Sequence, residues 1–262
     1  MKLINTFVTV LLITLLPSLG WSTPFDELVE RDGLYYPKFS DVPFTGEVTG
    51  REKGYFQEGN LKNGKREGVW VEYHDNGQLG SKGSYKNGVK EGVWVKYYDN
   101  SQLMMKGNLK KGKSEGVVVR YFRNGWLKDE GNYKNGKKEG DWVGYHDNGQ
   151  LSYKENYKNG KNEGDWVGYY DNGQLRKKGN YKDGMREGVW IENWDSGKLW
   201  RKTNHKNGWW VSLFVEYHEN GQLLSKGNYN KNHKKEGVWV EFLENGELKY
   251  KDNYKNGVLI YN

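Results

Sequence analysis

The sequence predicts an all-β fold, an elongated single-layer antiparallel β-meander built from about eight 24-residue hairpin repeats. Three observations predict it. Residues 67–90 read EGVWVEYHDNGQLGSKGSYKNGVK, and the opening Glu-Gly returns at Glu91, Glu115, Glu139, Glu163 and Glu187, then at Glu236 after one degenerate copy and a one-residue insertion. A fixed period of this length marks a stacked or arrayed repeat. Two turn signals alternate within each unit, Asp75-Asn76-Gly77 and Lys86-Asn87-Gly88, about one strand apart. Phe, Trp and Tyr make up 15% of the chain and recur at fixed positions. Beyond residue 20, fewer than one residue in five is Leu, Ile, Val or Phe, so a thick aliphatic core is excluded and a thin sheet that buries rings is implied.

The register follows from the turns. If Asn76-Gly77 forms a two-residue type I′ turn, paired positions sum to 153, so that Trp70 faces Gly83 and Gly68 faces Tyr85. An aromatic laid over a cross-strand glycine restores the packing that the glycine lacks. On this register Gly68, Trp70, Leu79, Gly83 and Tyr85 share one face, and Val69, Val71, Tyr73, Lys82 and Lys86 share the other. The expected result is a continuous tiling by Trp70, Trp94, Trp142, Trp166, Trp190 and Trp239, with Val118 and Phe214 as substitutes.

In chain order, residues 1–22 combine Lys2, an apolar run over residues 3–16, Pro17 and small residues before Ser22, the pattern of a cleavable secretory signal peptide. The run is too short to span a bilayer, and no cysteine follows to carry a lipid anchor. The mature chain is therefore expected to be exported, periplasmic or secreted, without a transmembrane segment and without disulfides. Residues 23–53 depart from the unit and are expected to cap the first edge. Pro37 and Pro43 discourage a further strand there, and residues 25–31 suit one or two helical turns. The array proper is expected over residues 54–262, opening with a half unit at residues 54–64. Further units start near residues 67, 91, 115, 139, 163, 187, 211 and 236.

The formal charge is +7, and its placement is more telling than its size. In a meander, alternate turns lie on opposite long edges. One edge should carry Asp75, Asp99, Asp147, Asp171, Asp195, Glu219 and Glu244, interrupted by Arg123. The other should carry Lys62, Lys86, Lys110, Lys134, Lys158 and Lys182, continued by Lys206 and Lys255. These lysines are the expected contacts for an anionic lipid or polysaccharide.

Chemistry finds no foothold. His74, His146 and His218 share a slot that elsewhere holds Tyr98, Phe122, Tyr170 or Trp194. His74 and His146 are three units apart, about 29 Å at about 4.8 Å per strand, so no shared metal site is expected. Carboxylates in identical slots offer one environment, whereas an acid-base pair needs two. With no cysteine, nucleophile elbow or phosphate-cradling loop, neither enzyme activity nor a cofactor is expected. Nucleic acid is an unsuitable partner for an exported chain. Rows of Trp and Tyr leave a glycan as an alternative ligand, although rings needed for packing are not free to stack on sugar.

The degenerate copy adds aromatics. Residues 198–214 read KLWRKTNHKNGWWVSLF, so that Trp200, Trp209 and Trp210 join Trp194 in one stretch of sequence, and Trp126 replaces a repeated Gln. These five are the candidate partner-binding residues, since exposed Trp is enriched at binding hot spots.

Glu-Gly-x-Trp at residues 67–70, Tyr73, Asn-Gly-Gln-Leu at residues 76–79, Lys82-Gly83 and Tyr-Lys-Asn-Gly at residues 85–88 together resemble the bacterial variant of the MORN repeat, over residues 54–257. The array is similar to proteins of the YwqK-type antitoxin family, whose opening is matched by residues 30–36. The resemblance implies a curved single-layer sheet of hairpins that binds proteins or membranes or forms oligomers, and a chain that neutralises a toxin. An exported chain would meet such a toxin outside the cytoplasm, as an immunity protein does. The expected ligand is thus a protein.

Overall fold

The computed structural model describes residues 22–261, and the expected signal peptide lies outside them apart from Ser22. From Gly46–Glu52 to Val258–Ile260 the strands form one antiparallel meander in which each strand pairs with its neighbours in sequence, within a 22-stranded sheet. Among the described residues there is no α-helix.

The two turn signals build different turns. At the lysine edge Asn87 and Gly88 both have positive φ, 51° and 80°, and Lys86 pairs directly with Val89, the expected two-residue type I′ turn. At the acid edge only Gly77 is left-handed, with φ 80°. The Gly77 N–H donates to the His74 carbonyl at 2.9 Å, and the His74 N–H donates to the Gln78 carbonyl at 2.8 Å. This is a three-residue loop, a type I turn closed by a left-handed glycine, and not the two-residue turn that the sequence predicts.

The predicted register survives this correction. Tyr73 pairs with Leu79, and a bulge at Gly80 then absorbs one residue, so that Trp70 pairs with Gly83 and Gly68 with Tyr85. The bulge moves Leu79 to the side of its partner Tyr73, off the predicted tryptophan face.

Past the lysine-edge turn the register shifts by two residues, from Ser84–Glu91 to Lys82–Val95, so that Gly83 has a tryptophan on either side, Trp70 and Trp94, and Gly131 likewise pairs with Trp142 of the strand that follows it. A Cβ built on Gly83 would fall inside the indole of Trp94, not Trp70, and Gly59, Gly131, Gly179 and Gly227 stand in the same relation to Trp70, Trp142, Trp190 and Trp239. Each indole leans back over the glycine of the preceding strand. Its N–H donates to a carbonyl next to that glycine, as from Trp94 to Ser84 and from Trp142 to Asn132, both at 3.2 Å. The tyrosine two residues beyond the glycine packs edge-on, with Tyr85 5.2 Å from Trp94 and Tyr133 5.2 Å from Trp142. In a sheet one layer thick, these rings are fully buried: Trp142 and Trp190 are 0% exposed.

The tiling is broken once. Glu155 occupies a glycine slot, and the indole of Trp166 is displaced over Gly168 on its own strand while its N–H donates to Glu155 Oε2 at 3.2 Å. Elsewhere the slot adapts by size, with Gly107 under Val118 and Thr203 paired with Phe214.

At the N-terminal end, residues Phe25–Glu27 make a single 3-10 turn, and the rest of the expected helical stretch is the strand Leu28–Arg31, hairpinned with Leu34–Pro37. Thr23–Pro24 pairs in parallel with Val48 and Thr49 and shields the first edge. Phe25 and Leu28 bury themselves against Val48, Leu61 and Trp70. Gly46–Glu52 is already a full strand of the sheet, so the meander begins ahead of the expected half unit.

Candidate functional site

Both long edges are tied from unit to unit by side chains that the sequence repeats. At the acid edge the Asn76 amide donates to the Asp99 carbonyl at 2.7 Å while its oxygen accepts the Gln78 N–H. Asn100, Asn124, Asn148, Asn172 and Asn220 repeat the link. The histidine slot serves the same end. His74 Nε2 donates to the Tyr97 carbonyl at 2.9 Å, His146 and His218 do likewise, and Tyr98 and Tyr170 make the link with a hydroxyl.

At the lysine edge the recurring carboxylates cap the following turn. Glu67 accepts the Asn87 N–H at 2.7 Å, and Glu91, Glu115, Glu139, Glu163, Glu187 and Glu236 do the same for their successors. These acids are structural. Among the described residues no group of three His, Cys, Asp or Glu gathers as a metal site would require.

The two Asn-Gly families can therefore be told apart by substitution. Asn159, at φ 53°, is held for its left-handed backbone, whereas Asn148 is held for its amide. We expect Asn148→Gly to cost about 1 kcal/mol and Asn159→Gly less than about 0.5 kcal/mol, measured by urea unfolding. Equal costs would contradict the assignment.

The lysine edge presents Lys62, Lys86, Lys110, Lys134, Lys158 and Lys182 exposed. Among the described residues none of the six is in an ion pair. A second row of cations, missed by reading turns alone, lies on the tryptophan face. Arg66, Lys90, Lys138, Arg186 and Lys235 sit 4.0–4.6 Å from the ring centroids of Trp70, Trp94, Trp142, Trp190 and Trp239. Burial pulls the Lys90 ammonium below its ordinary pKa. The signal was there to find: a basic residue four positions before each of these tryptophans.

The five candidate tryptophans do not form one cluster. Trp194 and Trp200 pack together at the acid edge, 5.3 Å apart, while Trp209 and Trp210 open the strand Trp209–Tyr217 at the lysine edge. The strand Leu199–Lys206 that separates the pairs is eight residues long, about 25 Å. Trp200 is the bulged residue of its strand, since Glu192 pairs with Arg201 and Asn193 with Leu199. Trp126, though 55% exposed, lies over Gly149 of the next turn, as Gln102, Gln150, Gln174 and Gln222 lie over theirs.

Trp209 differs. It is 62% exposed and stacks on His233, with ring centroids 5.2 Å apart and planes at 23°. On one side of this pair a cleft of about 520 Å³ is lined by Arg186, His205, Trp210 and Tyr229. On the other a cleft of about 620 Å³ is lined by Lys206, Val211, Ser212 and Lys231. Burial lowers the His205 pKa, against the pull of its hydrogen bond to the Gly208 carbonyl.

Compared with known protein families, the chain matches the MORN repeat variant at residues 66–87, 90–111, 114–135, 138–159, 162–183, 186–207, 212–231 and 235–256. The eight segments coincide with the eight units read from the 24-residue period. A search of curated proteins found no match.

Proposed function

From a chain that belongs to the MORN repeat variant family, a non-catalytic repeat family associated with binding to proteins or membranes, we propose an exported, non-enzymatic scaffold that binds another protein. An antitoxin-like or immunity-like partnership with a toxin outside the cytoplasm is the form that we favour, and the leader-like residues 1–22 support export. One observation carries the protein-binding reading: the Trp209 indole is 62% exposed yet held in place by its stack on His233. A large ring presented rigidly beside Trp210 and Tyr229 has the make-up of an interface hot spot. The experiment is affinity capture with the tagged chain from host periplasm and medium, at low and high salt, read by mass spectrometry. A single stoichiometric protein retained at high salt is the expected result, and its absence would overturn the reading.

A second reading rests on the six exposed, unpaired lysines. They would hold an anionic lipid or polysaccharide, and that binding should collapse as the screening length shrinks from about 10 Å at 0.1 M salt to about 3 Å at 1 M. Envelope material captured only at low salt would favour it. A glycan stacking on the aromatic rows is less well supported, because Trp70, Trp94, Trp142, Trp190 and Trp239 are buried.

A further inference from the structure

The clefts beside Trp209 arise from a single inserted residue. In other units the lysine-edge turn ends in a left-handed glycine, and the side chain that opens the preceding strand on that edge lies along it, as Lys137 lies by Gly160 and Met185 by Gly208. After Tyr229 the turn is one residue longer. The Asn230 N–H donates to the Lys234 carbonyl, and the His233 N–H donates to the Asn230 carbonyl, both at 2.9 Å. His233, at φ 60°, takes the place of the glycine. Where a lysine stem would lie flat on a glycine, an indole now rests on an imidazole, and the stacked pair stands up from the rim as a wall between two hollows.

The charges around this wall are one-sided. Arg186 lines one hollow, Lys206 and Lys231 the other, and neither is lined by an Asp or Glu. Arg186 is already met by Glu192 at 3.4 Å, whereas Lys206 and Lys231 are in no ion pair among the described residues, and the carboxylates of Glu187 and Glu236 are engaged with the Asn207 N–H and with the Asn256 N–H and the Asn230 amide. The hollow on the tryptophan face is walled by Trp209, Trp210 and Tyr229, with Trp210 and Tyr229 5.5 Å apart. A small molecule would fill one side of the wall only, whereas an extended chain crossing the rim would engage both.

Resting on the protein-binding reading, we propose that this rim receives an acidic segment of the partner protein. The segment places an aromatic side chain against Trp210 and Tyr229 and sets its carboxylates on Lys206 and Lys231. The aromatic insertion supplies affinity from a desolvated contact, and the cations select against neutral or basic sequences.

The test is selection from a random phage-displayed peptide library on the full chain, run in parallel on Trp209→Ala and His233→Gly variants. The second variant restores the residue usual at a left-handed position, so its fold is not at risk. We expect enriched peptides to carry an aromatic next to Asp or Glu. A synthetic copy should bind either variant about thirtyfold more weakly, and a Lys206→Glu/Lys231→Glu chain at least about tenfold more weakly. Enrichment of basic or non-aromatic peptides, equal binding to the variants, or no enrichment would overturn the proposal. Host capture separates the two readings: a partner protein held equally by the wild type and both variants would leave the scaffold standing and place its interface elsewhere.

Discussion

Gly83→Val is expected to destabilise the array by roughly 3 kcal/mol, with lost amide protection centred on the strands Leu79–Lys86 and Val89–Tyr97. The added side chain would occupy the space of the Trp94 indole, which is 3% exposed and fixed by its hydrogen bond to Ser84 and its edge-on contact with Tyr85. A rigid, buried ring cannot step aside by a few tenths of an ångström. It must leave, as the ring of Trp166 has left the slot that Glu155 fills. The same substitution in a Trp94→Val background should cost less, because Thr203 opposite Phe214 shows a filled slot tolerated under a smaller partner. Urea unfolding of the four proteins gives the coupling. No coupling would contradict the assignment of Trp94, and coupling to Trp70 in its place would restore the simple cross-strand pair.

The second large effect concerns a charge. Glu192 is 6% exposed and meets Lys177 at 2.8 Å, Arg201 at 2.6 Å and Arg186 at 3.4 Å. Glu192→Ala leaves three cations crowded on a buried patch of the tryptophan face, and a loss of about 3–5 kcal/mol is expected. Glu192→Gln, which keeps hydrogen bonds but not charge, should lose less. Burial alone would raise this carboxyl's pKa, but the hydrogen bonds and charges of Lys177 and Arg201 outweigh it and hold the value below the usual range. A depressed native pKa means stability that is complete above the unfolded carboxyl value and is lost as pH falls through the native one. Wild type should therefore lose part of its advantage over Glu192→Ala as pH drops below about 4. A pH-independent difference between the two unfolding curves would argue against the charged cluster.

Period, meander and the register of the Trp70–Gly83 hairpin were all legible in the sequence, because each depends on spacing, and spacing is what a repeat displays. The turn at Asp75-Asn76-Gly77 was not. Asn-Gly satisfies both an I′ turn and a type I turn closed by a left-handed glycine, and only the backbone of Asn76 distinguishes them. The register came out right because the extra loop residue and the bulge at Gly80 offset each other. The covering of Gly83 by Trp94 was hidden for another reason: past the lysine-edge turn the ladder passes from Ser84–Glu91 to Lys82–Val95, a bulge that brings Trp94 level with Gly83 where an unbroken two-residue turn would set Gly92. At the candidate site, the tryptophans adjacent in sequence were legible as unusual, but their separation to opposite edges is a matter of strand length. The stack of Trp209 on His233 depends on a turn insertion whose geometry no spacing rule supplies.

The edge links have a consequence for how the chain comes into being. The Asn76–Asp99, His74–Tyr97 and Glu67–Asn87 bonds, like their repeats, join residues 20 to 24 positions apart. Strands pair with their sequence neighbours, so the fold contains almost no contact between distant parts of the chain. Such a topology closes only short loops and can grow from any hairpin once formed. A chain emerging amino end first could lay the cap on its first strands, then add one unit after another, with each unit waiting only for the next. Completion would be gradual, since the successor brings the carbonyls that Asn76 and His74 bind and the ring that covers Gly83.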